Sequence, residues 1–513
     1  MHTVKRKDLT MNKKRFLVNG ALLTAVGIAM RTVSLFFNAY VTRVVGAEGV
    51  GLYTLVMTVY NFGVTFATAG ISLTVTRLVA KAGGEGRSGD VTRILLGAVL
   101  YALIFSTFAT TVLFFGGNLV AARVLADARA GVSLRILAPS LIPLAMISVF
   151  SGYFIGVRKV GFNAATQILG QVFKICATVW LLSRSVGLGA EEAARTLAIG
   201  TTATEMLCFI FIFAEFLLER RGKDRAMPPA ISEVGAVAAP LAVSAYVRQA
   251  LLTVEHVLIP ACLRKKGLDA ARSLSAYGIL HGMALPMVIY PMATLSSFAG
   301  LLVPELAEAK AAGDRGAMER ITSRSLSVTV SYAAVTAVML LVFSEPLGYV
   351  IYSSSDAGYY VAVLSLAVPI MYLDHVTDSV LKGIGEQVYS MWVNVTDSLL
   401  SIFLVLFLIP RMGIMGYALI IIIMEGYNFV LSFGRLSRKI RIRVNFCRSL
   451  LLPFISALFA SLLTKQLFIS QGSSATAGVM VCTAVFAVLA TVLFYKVIDL
   501  VFRCIQKGKI RIL

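Results

Sequence analysis

The chain has 513 residues, of which 58% are hydrophobic and only 14% charged, with a mean hydropathy of +0.84. Soluble domains carry roughly 25% charged residues, so this composition excludes a chain whose main solvent is water. The formal charge of +21 sits in short basic clusters between apolar stretches, which excludes a nucleic-acid face and fits the positive-inside bias of membrane proteins.

A helix needs about 20 mostly apolar residues to cross the hydrocarbon core. That standard predicts an all-α integral membrane protein with about fourteen spans, at 16–41, 50–77, 93–116, 132–157, 161–183, 196–218, 234–260, 275–303, 324–344, 358–381, 388–410, 414–434, 449–470 and 477–502. The first span follows Lys13-Lys14-Arg15 in the manner of a signal peptide. It is too long for one, contains Arg31 and precedes many similar segments, so it reads as an uncleaved helix. With the N-terminus in the cytoplasm, 31 Lys and Arg fall inside against 12 outside, and Arg31, Lys174, Arg248 and Lys496 lie within spans. The main exception is Arg264-Lys265-Lys266, which this topology puts outside.

Residues 80–83, Ala-Lys-Ala-Gly, with Arg93-Ile94, echo residues 309–312, Ala-Lys-Ala-Ala, with Arg320-Ile321. Each set follows the second span of a group of six, and a loop glycine, Gly156 or Gly383, follows the fourth span of each. Six is even, so the halves are parallel repeats entering from the same side. The expected organisation is a cytoplasmic segment 1–15, a first lobe 16–225, a second lobe 226–444, and C-terminal helices with a basic tail at 445–513.

Soluble-enzyme chemistry lacks its parts. The six cysteines are scattered without a CxxC pair, the four histidines form no sequence-adjacent cluster, and P-loop, HExxH and GxSxG motifs are absent. The expectation is a protein that is not an enzyme and has neither a metal site nor an organic cofactor. Chemistry rests instead on polar groups inside spans, which by default face a protein interior or a water-filled cavity.

In span 1, Thr24, Gly27, Arg31, Ser34, Asn38 and Thr42 form one stripe. Arg31 lies roughly 22 Å along the helix from Phe16, too deep for easy snorkelling. Span 2 carries Thr54, Thr58, Asn61, Thr65, Thr68 and Ser72. Such a stripe equally serves helix packing or bonding to its own backbone, and for span 2 alone that reading is the stronger. Span 7 sets Ser244, Arg248 and Glu255 on one face, where the charges also read as a mutually neutralising pair. Span 10 holds Asp374, His375 and Asp378, and span 11 aligns Ser390, Asn394, Asp397 and Ser401. Pro139/Pro143, Pro240/Pro260 and Pro286/Pro291 each permit bends in spans 4, 7 and 8.

The run Arg43-Val44-Val45-Gly46-Ala47-Glu48-Gly49-Val50-Gly51-Leu52-Tyr53, after a polar first helix, resembles the opening of polysaccharide and lipid-linked oligosaccharide flippases. Residues 253–260, TVEHVLIP, followed by Tyr277-Gly278, residues 282–286 (GMALP) and residues 302–305 (LVPE), resemble the stage V sporulation protein B branch. The resemblance covers essentially the whole chain. It implies the multidrug/oligosaccharidyl-lipid/polysaccharide exporter fold, two six-helix lobes in a V around a central cavity with two trailing helices. It further implies a flippase for an undecaprenyl-pyrophosphate-linked saccharide in a bacterial plasma membrane, serving spore-cortex peptidoglycan, with both termini cytoplasmic.

On that reading Arg31 and Arg248, with Asn38 and Asn61, are the candidate substrate-binding residues, because a cationic cavity offers a pyrophosphate–sugar headgroup charge-assisted bonds. Related lipid II flippases carry more cavity arginines than these two. A related branch also places a sodium site between the helices equivalent to spans 7 and 11. The resemblance thereby makes Glu255, Asn394 and Asp397 the candidate site for a coupling Na+ or H+. The expected partners are the lipid-linked saccharide and the bilayer, with no nucleic acid. Three rivals are a drug/cation antiporter of the same fold, a membrane glycosyltransferase or polymerase, whose acidic motifs on a large external loop are not found in the sequence, and a non-transporting sporulation scaffold.

Overall fold

Every regular element among the described residues is helical; the computed structural model describes residues 2–84, 88–157, 159–184, 189–219, 228–445 and 447–468. The side chain of Arg31 and the predicted span 477–502 lie outside the described residues.

Helix α1, His2–Thr68, carries spans 1 and 2 in one run that leaves helical geometry at Gly46 (φ 77°, ψ 169°). Span 2, expected over 50–77, breaks after Thr68, and α2 runs Ile71–Gly84. The break lies at Gly70, where φ is 76° and a Cβ would stand 2.7 Å from the Ala238 carbonyl oxygen. Only glycine meets both the left-handed backbone and the close approach.

Helix α3, Ser88–Val120, continues into a π-turn, Ala121–Leu125. Span 4 divides into α4, Ala130–Leu137, a 3-10 turn containing Pro139, and α5, Leu141–Gly156. Then come α6 (Val160–Ser183), α7 (Ala190–Glu219) and α8 (Ile231–Lys265), the last continuous through Pro240 and Pro260.

Span 8, expected as one helix, is segmented into α9 (Ala270–Tyr277), a π-helix (Gly278–Ala284), α10 (Leu285–Ile289) and α11 (Met292–Ala311), with a 55° bend. Pro286 and Pro291 each delete a backbone donor there. Helices α12 (Arg315–Val342) and α13 (Ser344–Tyr352) follow, then α14 (Ser355–Ser365) and α15 (Val368–Gly383), which meet at 59° beside Pro369. The remaining helices are α16 (Gln387–Met412), α17 (Ile414–Lys439) and α18 (Leu452–Phe468).

Ten of the described helices are long and apolar enough to cross a membrane, or twelve when each bent pair is one span. The predicted fourteen differ because spans 1 and 2 share one run and span 14 lies outside the described residues. Large apolar side chains stand uncovered by protein, among them Phe36 (64% exposed), Phe115 (78%) and Phe403 (62%). Lipid is the solvent that makes such a surface stable.

Packing divides the chain into two compact units, Met1–Phe37 with Val44–Gly278, and Asn38–Arg43 with Ile279–Leu513. In the first, α2 and α3 pack on α5, α6 packs on α7, and α8 runs along α2 and α3. Leu55, Ile71, Leu134, Leu141, Phe154 and Ile212 belong to its core. In the second, α11 and α12 pack on α15, and α16 on α17. Its buried Tyr372 donates to the Val288 carbonyl at 2.8 Å. The units share an internal plan. Gly156 lets α5 approach Thr76 and Val79 of α2, and Gly383 lets α15 approach Val303 and Leu306 of α11; a Cβ at either glycine would lie 3.0 Å from its nearest neighbour. The two loop glycines thus serve matching helix contacts, one in each unit.

Candidate functional site

In the first unit, two bonds fix α8 beside the second half of α1. Tyr246 donates to the Phe66 carbonyl at 3.0 Å, its ring stacked on Phe66 at 5.1 Å between centroids, and Thr253 donates to the Thr58 carbonyl at 3.5 Å. Chain numbers rise on α8 as they fall on α1, so the two run antiparallel. Interpolating between the bonds sets Arg248 level with about residue 64 of α1, within roughly one helical turn of Asn61. Both Asn61 and Arg248 are exposed. A guanidinium at membrane depth that no protein covers requires a hydrated space. Arg248 lies on the face of α8 opposite Tyr246 and Thr253, and its guanidinium can donate in bidentate fashion to an anionic group there.

The rest of the span 2 stripe is mostly absorbed locally. Thr54, Thr58 and Thr68 donate to the carbonyls of Val50, Thr54 and Val64 at 2.7, 2.9 and 2.8 Å, the i−4 back-bonding expected of hydroxyls inside helices. In the span 1 stripe, Ser34 donates to Met30 O at 2.9 Å and receives the Gln171 amide at 3.0 Å. Asn38 is exposed and clusters with the second unit. Glu255 stays with α8 in the first unit, in electrostatic reach of Tyr277. Asn61 and Arg248 thus lie at similar depth in the first unit, with Arg248 turned to the side of α8 away from α1, and Glu255 shares that side of α8.

In the second unit, Asp397 of α16 accepts from the Asn428 amide of α17 at 3.1 Å, while Asn394 donates to Ser390 O at 2.8 Å. Glu425 of α17 lies within electrostatic reach of both Asp397 and Asp374 of α15, and Asp374 is hydrogen-bonded to Ser432. Oδ1 of Asp374 and Oδ1 of Asn428 are buried and accept no hydrogen bond among the described residues. Buried acceptors without donors are rare and call for a partner. Glu425, Asp374 and Asp397 thus share one polar region of the second unit, whose open acceptors suit a cation or a proton donor. Among the described residues no three His, Cys, Asp or Glu side chains converge on one metal position, so a cation here would take amide or hydroxyl oxygens beside the carboxylates.

Glu425 and Asn428 were missed in the span-by-span reading, which singled out polar residues in spans 10 and 11 but none in span 12. The signal was present: Glu425 directly follows the apolar run Leu419–Met424, and an acid in such a run is a functional candidate by default.

Two family models match the chain: Polysaccharide biosynthesis protein over residues 16–310 and MatE over residues 267–407. Among curated proteins the chain is similar to Stage V sporulation protein B of Bacillus subtilis (strain 168), 24% identical across 98% of both chains. It is also similar to Sporulation protein YkvU of the same organism, 19% identical across 68% of this chain and 78% of that one. Among solved structures it resembles the lipid II flippase MurJ in an inward closed conformation. The TM-score is 0.73 at 15% identity, covering 94% of this chain and 100% of the other. A multidrug resistance MATE family transporter of the MOP superfamily, inward-facing, gives a TM-score of 0.65 at 13% identity over 81% and 98%. The fold is accordingly that of the MOP superfamily.

Proposed function

Because this chain belongs to the polysaccharide biosynthesis protein family, we propose that it is a flippase. It carries an undecaprenyl-pyrophosphate-linked saccharide from the inner to the outer leaflet of a bacterial plasma membrane by alternating access. The observation that carries this reading is Arg248, uncovered by protein at membrane depth. A pyrophosphate headgroup cannot cross hydrocarbon unaided, and a guanidinium in a hydrated space compensates its charge at the depth where water is scarcest. The near full-length likeness to a lipid II flippase and to a sporulation protein supports a peptidoglycan-type headgroup and a sporulation setting.

Arg31, Asn38, Asn61 and Arg248 are assigned to headgroup binding, with both termini in the cytoplasm. The coupling ion, Na+ or H+, is assigned to Asn394 and Asp397, joined by Glu425 and Asp374 of the same unit; Glu255 is the acid that α8 contributes to coupling. An ion held by these groups shifts the access equilibrium by its differential affinity for the two states.

The buried acids of the second unit also favour a second reading, a drug/cation antiporter of the same fold. The discriminating experiment is rescue of a strain depleted of its lipid II flippase, run beside uptake of cationic dyes. Rescue without dye transport supports the flippase. Dye transport without rescue supports the antiporter.

A further inference from the structure

The first helix of each repeat ends on the same short pattern. Arg43-Val44-Val45-Gly46 and Arg264-Lys265-Lys266-Gly267 each place an arginine three residues before a glycine. Both glycines have positive φ, 77° and 103°, and each is followed two residues later by an acid, Glu48 or Asp269. The arginines do matching work. Arg264 donates from Nη1 to Ala126 O and from Nη2 to Leu125 O, both at 3.2 Å, where the π-turn after α3 ends. Arg43 donates from Nε to Ile351 O at 2.8 Å, in the last turn of α13.

The receiving ends are equivalent as well. Ala126 and Ser353 are the two non-glycine residues with positive φ among the described residues, 51° and 54°, and each caps a helix end. They are separated by the same number of residues as Gly156 and Gly383, and as Arg93 and Arg320. Each arginine therefore comes from the first helix of one repeat and caps the third-helix end of the other. Carbonyls of a last turn lack intrahelical donors and carry the negative end of the helix dipole, so a guanidinium is their natural partner. The exchange also accounts for the contact grouping, in which Asn38–Arg43 joins the second unit and α8 joins the first.

We propose that Arg43 and Arg264 are a matched pair of latches, each pinning the end of one repeat's first helix to the other repeat, and that the transport cycle proceeds by releasing both. Arg264 is then retained on the side where basic loops are disfavoured because its guanidinium is consumed by this bond. The role in the cycle rests on the flippase reading; the latch itself does not.

Cys262, two residues before Arg264, is 1% exposed and reports on release, while Cys208, 8% exposed in the α7 core, reports on general loosening. The test is the rate of maleimide alkylation of purified chains that keep only one of these cysteines. Arg264→Gln should speed labelling of Cys262 about tenfold, the factor one charge-assisted hydrogen bond supplies. Arg43→Gln should speed it too, because both bonds hold the same state. Arg264→Lys should give an intermediate rate, and Lys265→Gln and the Cys208 rate should not move. Unchanged Cys262 labelling in Arg264→Gln, equal acceleration in Lys265→Gln, or parallel acceleration at Cys208 each overturns the proposal. Faster labelling at Cys262 in a chain that moves no lipid-linked saccharide leaves the latch standing and removes the flippase reading.

Discussion

Replacing Gly51 by alanine should destabilise the first unit out of proportion to one methyl group. A Cβ on Gly51 would stand 2.0 Å from Leu274 O and 2.7 Å from Leu274 C, and a Cβ on Gly278 would stand 2.2 Å from Ala47 O. Two helices therefore cross backbone to backbone, joining two of the motifs that resemble flippases, residues 43–53 and Tyr277-Gly278. The atoms that block the methyl are main-chain atoms, so no side chain can turn aside, and the helices must part by about 1 Å or repack. Overpacking of this kind costs about 1–3 kcal/mol, and with backbone on both sides the upper half of that range applies. At roughly 2–4 °C per kcal/mol, Gly51→Ala should melt about 5 °C or more below the parent in a detergent-based thermal scan. Gly116, in the interior of α3 with nothing within 4 Å of its Cβ position, is the control. Gly116→Ala should gain about 0.5–1 kcal/mol from reduced backbone entropy in the unfolded chain. A Gly51→Ala chain as stable as its parent would refute the reasoning.

Glu386 is tied to Arg435 at 2.7 Å and to Lys439 at 3.0 Å, and these cations hold its carboxyl below its ordinary value, Arg435 more than Lys439. A depressed carboxyl contributes stability that is complete above its unfolded value and is lost as pH falls through the folded one. Thermal stability should therefore drop below about pH 4.5 in the parent and less steeply in Glu386→Gln. An identical acid limb in both would remove the tie. Asp397→Asn should abolish the dependence of transport on a sodium or proton gradient while headgroup binding stays measurable; wild-type ion dependence in liposomes would make the acids structural. For topology, a cysteine at position 265 should react with an impermeant reagent in intact cells and one at position 439 should not, and the reverse pattern would invert the orientation.

Most membrane helices were legible because twenty apolar residues in a row have few other meanings, and several of the breaks were legible in Pro139, Pro286 and Pro291. The break at Gly70 was not. Its cause is the approach of the Ala238 carbonyl from a helix far away in sequence, and nothing local marks it. The repeat was visible in a handful of small and basic residues, yet the packing of α8 with the first unit was not, because repeat order does not state which neighbour a first helix chooses. The i, i+3 spacing of Asn394 and Asp397 identified one face of the acidic cluster. Its other members, Asp374, Glu425 and Asn428, arrive from α15 and α17, and their convergence is a tertiary fact. The span 2 stripe was legible in its blander sense: a periodic row of hydroxyls reads first as packing or back-bonding, and three of them close i−4 bonds.

The central claim is that a guanidinium at membrane depth carries a pyrophosphate-linked headgroup across. It is tested most directly by measuring inward-to-outward movement of a labelled undecaprenyl-pyrophosphate saccharide in proteoliposomes containing parent, Arg248→Ala and Arg248→Lys chains at matched folded amounts. Arg248→Ala should lose transport by about 100-fold, in line with roughly 2–3 kcal/mol for a charge-assisted bidentate contact, and Arg248→Lys should recover part of it, since it keeps the charge but not the fork. Transport by Arg31→Ala/Arg248→Ala chains at the parent rate would contradict the claim.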